Sequence, residues 1–165
     1  MSIGSNFQES FQKALCSMEE GLNGLNSLQN NGSFPSDDEI KSELTIPGPK
    51  RIFYVADAMR KGWDLNKIYS LTKIDYWFLD QIKELIDIED ELKETNISNL
   101  SKEYLQNIKE KGFSDNRIAE LLDTNESKIR QIRKKNNVMP IFRRVDTCAA
   151  CLLYTSDAAD ESSSG

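Results

Sequence analysis

Residues 72–92 read TKIDYWFLDQIKELIDIEDEL. The apolar side chains of this stretch recur three or four positions apart, the spacing that places them on one face of an α-helix. The stripe consists of Ile74, Phe78, Ile82, Leu85, Ile88 and Leu92. Trp77, Leu79 and Ile86 widen it, so the helix must be covered on more than one side. We predict the central helix of a helical domain, with Trp77 and Phe78 in the core.

The other face of this helix is acidic. A run of carboxylates there contains Asp87, Glu89, Asp90 and Glu91. Carboxylates at close spacing can hold a metal ion, but a run of this kind is more often the water-facing side of a helix. We predict a solvated face and keep a metal site as the alternative.

Length and composition indicate one globular core. The chain has 165 residues, of which 38% are hydrophobic, and a net charge of -6. The negative charge argues against a protein that coats nucleic acid or lipid over its whole surface. The absence of histidine removes the commonest general base and metal ligand. No apolar run has the roughly 20 residues of a membrane helix, and no signal peptide is apparent, so we expect a cytosolic protein.

Turn-forming residues divide the remaining chain into short helices. Ser5 and Gln8 have the spacing of a capping box at the start of the first helix. Residues 51–61 contain good strand formers, but their apolar spacing also fits a helix that ends at Gly62, and no other strand signal is present. Pro140 disfavours helix around it. We predict an irregular all-α domain of about seven to eight helices, followed by an extended segment and a disordered tail.

The last residues differ in character from everything before them. Residues 151–165 read CLLYTSDAADESSSG, and the first eleven resemble one reading frame of a DNA-sequencing adaptor. We therefore interpret 151–165 as read-through of laboratory DNA. Cys148 and Cys151 have the CxxC spacing of redox and metal sites, yet no second pair accompanies them. We predict no function for this pair.

Residues 113–135 form the main rival to a purely structural interpretation. Two short amphipathic segments flank a turn, and the second carries five basic residues, which is the layout of a DNA-binding helix-turn-helix. They are Lys128, Arg130, Arg133, Lys134 and Lys135. The second segment offers only Gln131 to read base edges, and the rest of the chain is acidic. We keep DNA binding as the alternative function.

Five strings in order carry a family resemblance. They are MSIGSNFQESFQKAL at 1–15, RIFYVADAMRKG at 51–62, LTKIDYWFLDQIKEL at 71–85, KGFSDNRIAEL at 111–121 and RRVDTCAA at 143–150. Together they resemble the large subunit of glutamine-dependent carbamoyl phosphate synthase. Two departures stand out, since that family commonly has a Gly-Arg pair at Gly4-Ser5 and a Glu-Phe pair after Ala150. We carry over no phosphate-binding role to the first position.

The resemblance implies an internal fragment of a larger enzyme. Residues 1–24 would be the last helix of one ATP-grasp half, 25–138 the helical oligomerisation domain, and 139–150 the entry to a second half. The parent would use ATP and magnesium to make carbamoyl phosphate from bicarbonate and from ammonia supplied by a glutaminase small subunit, for arginine or pyrimidine synthesis. We expect this fragment itself to bind no cofactor or metal, to catalyse nothing, and to join both halves.

Self-association is the role expected of this chain. Phe34, Ile40 and Leu44 are apolar, precede the central helix and have few obvious local partners. Apolar side chains without partners are candidates for a contact between copies. We predict a homo-oligomer with these three residues at the interface, with no membrane contact.

Overall fold

A computed structural model describes residues 2–18, 21–28 and 33–140, together with the pairs 145–146 and 151–152. Eight α-helices lie within these ranges, which confirms the predicted all-α class. They are α1 (Phe7–Cys16), α2 (Asp37–Thr45), α3 (Arg51–Arg60), α4 (Leu65–Thr72), α5 (Tyr76–Glu94), α6 (Lys102–Glu110), α7 (Asp115–Leu121) and α8 (Glu126–Lys135). A 3₁₀ turn, Ile97–Asn99, lies between α5 and α6.

Side-chain caps start most of the helices. The caps that accept a hydrogen bond from a backbone N–H in the first turn are Asn6, Ser36, Asp64, Asp75, Ser101, Ser114 and Asn125. The predicted capping box at Ser5 is displaced by one residue. Asn6 is the cap of α1, and the Ser5 N–H donates to the Glu9 carboxylate at 2.5 Å. An amide side chain caps as well as a hydroxyl, so the sequence did not separate the two positions.

Helix α5 lies at the centre of the domain, as predicted. It contacts α1, α3, α4 and α7, while α2 packs on α3 and α4, and α7 packs on α8. Its buried apolar residues are Leu79, Ile82, Leu85, Ile86, Ile88 and Leu92. Residues 51–61 take the helical alternative, and every side chain from Phe53 to Met59 in α3 is buried. No helix in the described part of the chain has the length and apolar character to cross a membrane.

Two core predictions on α5 are wrong. Trp77 is 51% exposed and Phe78 is 42% exposed. Both lie in the first turn of α5, where their rings contact Phe7 of α1. Their helical spacing continues the apolar stripe. Within the described residues, however, the two rings contact only Phe7 and each other among aromatic side chains, and their remaining surface is exposed.

The end of the chain contains one short strand pair. Strand β1 (Val145–Asp146) pairs antiparallel with β2 (Cys151–Leu152), so that Val145 is opposite Leu152. Residues 139–140 have no regular secondary structure. Most of the predicted extended segment, Cys148 of the CxxC pair, and 153–165 of the predicted tail lie outside the described residues.

Candidate functional site

Helix α2 carries the predicted self-contact residues, and the structure separates them. Ile40 and Leu44 are 0% exposed, because α3 and α4 cover the inner side of α2. The reason for selecting these two residues, a lack of local partners, is therefore wrong. Phe34 is 47% exposed. A place for all three at the interface stays a prediction.

The outer side of α2 forms a mixed surface that we call the α2 face. It consists of Asp38, Lys41, Ser42, Thr45 and Ile46, which line one open depression, and we include with them the exposed Phe34, which precedes the helix in the chain. Ile46 is 65% exposed. Phe34 precedes the helix and Ile46 follows it, so exposed apolar side chains occupy both ends of a polar helix surface. Apolar anchors with polar surroundings are the usual composition of a protein interface.

A second exposed surface lies where α1 meets the start of α5. Its four rings, which we call the aromatic surface, are Phe7, Phe11, Trp77 and Phe78. Phe7 stacks on Phe11 at 5.4 Å between ring centroids and meets Trp77 edge-on at 5.3 Å. Phe7 also meets Phe78 at 5.4 Å, and Trp77 meets Phe78 at 4.9 Å. Such contacts hold the rings in one arrangement although two of them are half exposed.

Polar contacts fix α1 against the helices behind it. The Gln8 amide donates to the Glu84 carboxylate of α5 at 2.6 Å, and Lys111 Nζ donates to the same carboxylate at 2.5 Å. The hydrogen bond from Lys111, opposed by partial burial and assisted by Gln8, lowers the pKa of Glu84. The buried Gln12 amide donates to the Lys111 carbonyl at 3.3 Å. Helix α1 therefore has a fixed place on α5 and on the turn after α6.

A network of buried charges connects three helices in the interior. Glu89 of α5 accepts from Arg60 of α3 at 2.7 Å through one carboxylate oxygen. Its other oxygen accepts two bonds from Arg117 of α7, at 2.9 and 2.7 Å. Arg60 also donates to Asp57 at 2.8 Å, and Arg117 donates to Glu120 at 3.1 Å. We call Asp57, Arg60, Glu89 and Arg117 the buried network.

The segment 21–28, which we call the strap, lies on this network. The Leu25 carbonyl accepts from Arg60 and, at 3.2 Å, from Arg117. The Leu28 N–H donates to Asp57 at 3.0 Å. Because the strap forms no helix or strand, side chains of the network satisfy backbone groups that regular structure would otherwise satisfy.

The prediction of a wholly solvated acidic run is wrong at Glu89, which is 1% exposed. One signal in the sequence could have located it. Position 89 is three residues after Ile86 and three before Leu92, so it continues the apolar stripe. A carboxylate at a stripe position indicates a buried charge that needs a cationic partner. The sequence offered no means of choosing Arg60 and Arg117 as those partners.

Comparison with known proteins identifies the family. A model of the oligomerisation domain of the carbamoyl-phosphate synthetase large chain matches residues 1–137. The chain belongs to this family. The carbamoyl phosphate synthase large chain of Pseudomonas putida is 47% identical over 150 residues, and that of Xanthomonas campestris pv. campestris is 46% identical over 151. The Vibrio cholerae large chain is 43% identical over 159 residues.

The match covers most of this chain and a small part of each relative. It extends over 91% of the chain and 14% of the Pseudomonas putida and Xanthomonas proteins, and over 96% and 15% for Vibrio cholerae. The chain therefore corresponds to one segment of a much longer carbamoyl phosphate synthase large chain, and that segment is the oligomerisation domain.

The carboxylates of the acidic run on α5 do not converge as magnesium ligands. Magnesium needs converging oxygen ligands, and no cluster of three or more metal-ligating side chains exists among the described residues. In the acidic run, Asp87 pairs with Lys83, and Asp90 pairs with Lys93 at 2.7 Å. Glu89 is engaged by arginines. We derive no catalytic step from these residues.

The helix-turn-helix layout exists, and two of its five basic residues, Arg130 and Arg133, form contacts within the domain. Helices α7 and α8 pack together, with Asn125 as the cap of α8. Arg133 donates to Asp115 at 3.2 Å and to the Val138 carbonyl at 3.0 Å, and Arg130 pairs with Glu126 at 3.0 Å. Neither these contacts nor the comparisons favour the DNA-binding alternative.

Proposed function

We propose that this chain is the self-associating linker of a carbamoyl phosphate synthase large chain. The observation that carries the proposal is the match of residues 1–137 to the oligomerisation domain of that protein. A compact helical domain with a fixed interior can hold the parts attached to it at a constant separation. This role needs two kinds of exposed surface, one for a second copy and one for the rest of the large chain.

The activity of the full-length protein is part of the proposal. It would be an ATP-dependent carbon–nitrogen ligase that uses magnesium and makes carbamoyl phosphate from bicarbonate and ammonia. A glutaminase small subunit would supply the ammonia, and the product would enter arginine or pyrimidine synthesis. The chemistry would take place in the two ATP-grasp halves, so the helical chain alone would be inactive.

The α2 face is our proposed contact between copies. Phe34 and Ile46 are its apolar anchors, and the polar side chains between them can form the hydrogen bonds of an interface rim. Ile40 and Leu44 have an indirect role here, because they attach α2 to α3 and α4 from the inner side. A charge at Ile40 would disrupt the core, so it cannot test the interface.

The aromatic surface is our proposed contact with the flanking halves. Its rings come from α1 and α5, and α1 is fixed by Gln8 and Gln12. Exposed aromatic rings that are held in one arrangement are favourable interface anchors, because little side-chain entropy is lost on contact. A part of the same polypeptide is present at high effective concentration, so even a weak contact would be occupied.

Sedimentation velocity over a range of concentrations tests the self-contact. We expect the wild-type chain to associate reversibly, and Phe34→Glu or Ile46→Glu to weaken association by about 30-fold or more, the effect of a hot-spot residue. Met139→Glu is the matched control, since Met139 is 63% exposed and lies outside both surfaces. Trp77→Glu should also leave association unchanged.

Three results would contradict the proposal. A wild-type chain that stays monomeric at every concentration would remove the self-association role. Association that persists in both α2-face variants would remove the α2 face from the interface. Loss of association in Trp77→Glu alone would place the second copy on the aromatic surface. Circular dichroism of each variant separates loss of association from loss of fold.

A further inference from the structure

The strap is held by side chains whose burial is costly. The side chains of Asp57, Arg60, Glu89 and Arg117 are between 0% and 9% exposed. Two carboxylates and two guanidinium groups balance in charge, so the network as a whole is neutral. Buried ion pairs of this kind are often no more stabilising than apolar side chains of the same volume, and geometric specificity is one reason to keep them.

The two arginines of the network also donate hydrogen bonds to the backbone of the strap. Guanidinium groups present several N–H donors in a rigid plane. Arg60 uses them for Asp57, for Glu89 and for the Leu25 carbonyl, while Arg117 also reaches the Leu25 carbonyl. Glu89 lies between the two arginines and orients both. Both hydrogen bonds to the Leu25 carbonyl therefore come from arginines that Glu89 holds in place, while Asp57 itself accepts from the Leu28 N–H. The Ser114 hydroxyl adds a further contact, to the Asn23 carbonyl at 3.4 Å.

The strap also fits closely against the side chains below it. A Cβ atom added at Gly24 would lie 2.9 Å from Oε1 of Gln12 and 3.7 Å from Cγ of Arg117. Asn23 and Asn26 donate to Glu120 at the edge of the network, the second at 3.3 Å. The strap thus lies against both α1 and α7, and it continues the chain from α1 toward α2.

We propose that the buried network is a latch for the strap, with Glu89 and Arg60 as its positioning residues. The latch holds the strap closed on α3, α5 and α7, and the strap can open without unfolding the helices. Because the strap lies between α1 and α2 in the chain, the latch fixes residues 21–28 of the connection between these helices. This inference rests on the contacts alone and does not depend on the proposed function.

Hydrogen exchange measured residue by residue on the full 165-residue chain tests the latch. The decisive variant is Arg60→Lys, which keeps the network neutral but cannot reach Leu25, Asp57 and Glu89 together. We expect exchange of the Leu28 N–H, the donor to Asp57, to accelerate at least about tenfold, while the buried amides of Leu105 and Ile108 in α6 keep their rates.

A second pair of variants tests Glu89 itself. Glu89→Gln removes the charge that orients both arginines, and Glu91→Gln is its control on the exposed side of α5. We expect faster Leu28 exchange in Glu89→Gln and wild-type exchange in Glu91→Gln. If Glu89→Gln unfolds, Arg60→Lys still decides. The latch is overturned if Leu28 in Arg60→Lys exchanges at the wild-type rate, or accelerates no more than Leu105 and Ile108.

Discussion

At the scale of single residues, the charges of this domain fall into two groups. Glu89 and its arginines are buried and depend on one another, so removal of any partner leaves an uncompensated charge in the interior. Surface pairs such as Lys93 with Asp90 remain in water, where an ion pair contributes between zero and about 1 kcal/mol. The sequence presents Glu89 and Asp90 side by side, yet their energetic roles have little in common.

The buried ion pairs of Asp115 make the stability of the fold depend on pH. The Asp115 side chain is 9% exposed and lies 3.0 Å from Lys109 Nζ and 3.1 Å from an Arg133 nitrogen. Burial alone would raise the pKa of Asp115, but the hydrogen bonds and charges of Lys109 and Arg133 outweigh it, and the pKa falls below its ordinary value of 3.8. A lowered folded-state pKa stabilises the fold above the unfolded-state pKa, and the stabilisation is lost as pH falls through the folded-state pKa.

We therefore predict that Asp115→Asn is more harmful at neutral than at acid pH. At pH 6 it should lower the free energy of unfolding by about 2 kcal/mol, the loss of hydrogen bonds between charged groups. The difference from wild type should begin to shrink below about pH 4, where Asp115 of the unfolded chain takes up a proton, and it should be lost as pH falls through the lowered folded-state pKa. Urea unfolding at both pH values measures this, with exposed Asp80→Asn as control. A difference that does not change with pH would contradict the prediction.

At the scale of elements, several helices end in the same way. After α3, the Trp63 N–H reaches back to the Ala58 carbonyl at 3.0 Å, and Gly62 has φ +77°. After α6, the Phe113 N–H reaches the Ile108 carbonyl at 3.2 Å, and Gly112 has φ +90°. This is the Schellman motif, in which a left-handed residue ends the helix. Gly62 predicted the end of α3 correctly because the requirement is local.

The two glycines differ in what surrounds them. A Cβ atom at Gly62 would meet nothing within 4 Å, whereas one at Gly112 would lie 2.8 Å from Cα of Glu9 in α1. Gly112 thus permits the close approach of α1 to the turn after α6. The Asn6 side chain, at the start of α1, also donates a hydrogen bond to the Glu110 carbonyl at the end of α6, at 3.1 Å. One glycine serves only its own helix, and the other serves the packing of two elements.

We predict unequal costs for the matched substitutions Gly62→Ala and Gly112→Ala. The first should cost about 1–2 kcal/mol of unfolding free energy, the strain of a left-handed alanine. The second should cost about 1–3 kcal/mol more, because backbone atoms of α1 must move as in an overpacked core. Urea unfolding of both variants measures the difference. Equal losses would mean that α1 adjusts without cost.

At the scale of the whole molecule, α5 organises one core and leaves two apolar surfaces uncovered. The α2 face and the aromatic surface account for four of the large exposed apolar residues of the described chain, namely Phe34, Ile46, Trp77 and Phe78. The aromatic surface is a contiguous set of rings, and contiguous apolar exposure marks interaction sites in stable proteins. The domain thus has one continuous apolar core and also exposes apolar side chains at its surface, as expected for one segment of a longer protein.

Self-association should make stability depend on concentration. Because a folded oligomer is favoured by mass action, a tenfold rise in concentration should add about 1.4 kcal/mol. For a domain of this size the thermal midpoint should then rise by about 2–4 °C. Differential scanning calorimetry at several concentrations measures it. The double variant Phe34→Glu/Ile46→Glu should lose the dependence, and a wild-type midpoint independent of concentration would contradict the prediction.

The amino-acid sequence alone was sufficient for the all-α class, the central place of α5, the end of α3 and the family. These features depend on neighbours along the chain: the stripe from Ile82 to Leu92 and the stop at Gly62 each need only a few adjacent residues. Such local preferences are readable because periodicity, capping and backbone conformation act within one or two turns.

Only the tertiary structure decided which faces of the helices are covered. Glu89 lies inside although Asp90 and Glu91 beside it are solvated, Trp77 lies outside although it extends an apolar stripe, and Ile40 is buried although it appeared unpartnered. In each case the outcome depends on residues about 10 to 70 positions away: Arg60 and Arg117 for Glu89, Phe7 for Trp77, and α3 and α4 for Ile40. Burial is a property of the assembled core, so no local pattern could determine it.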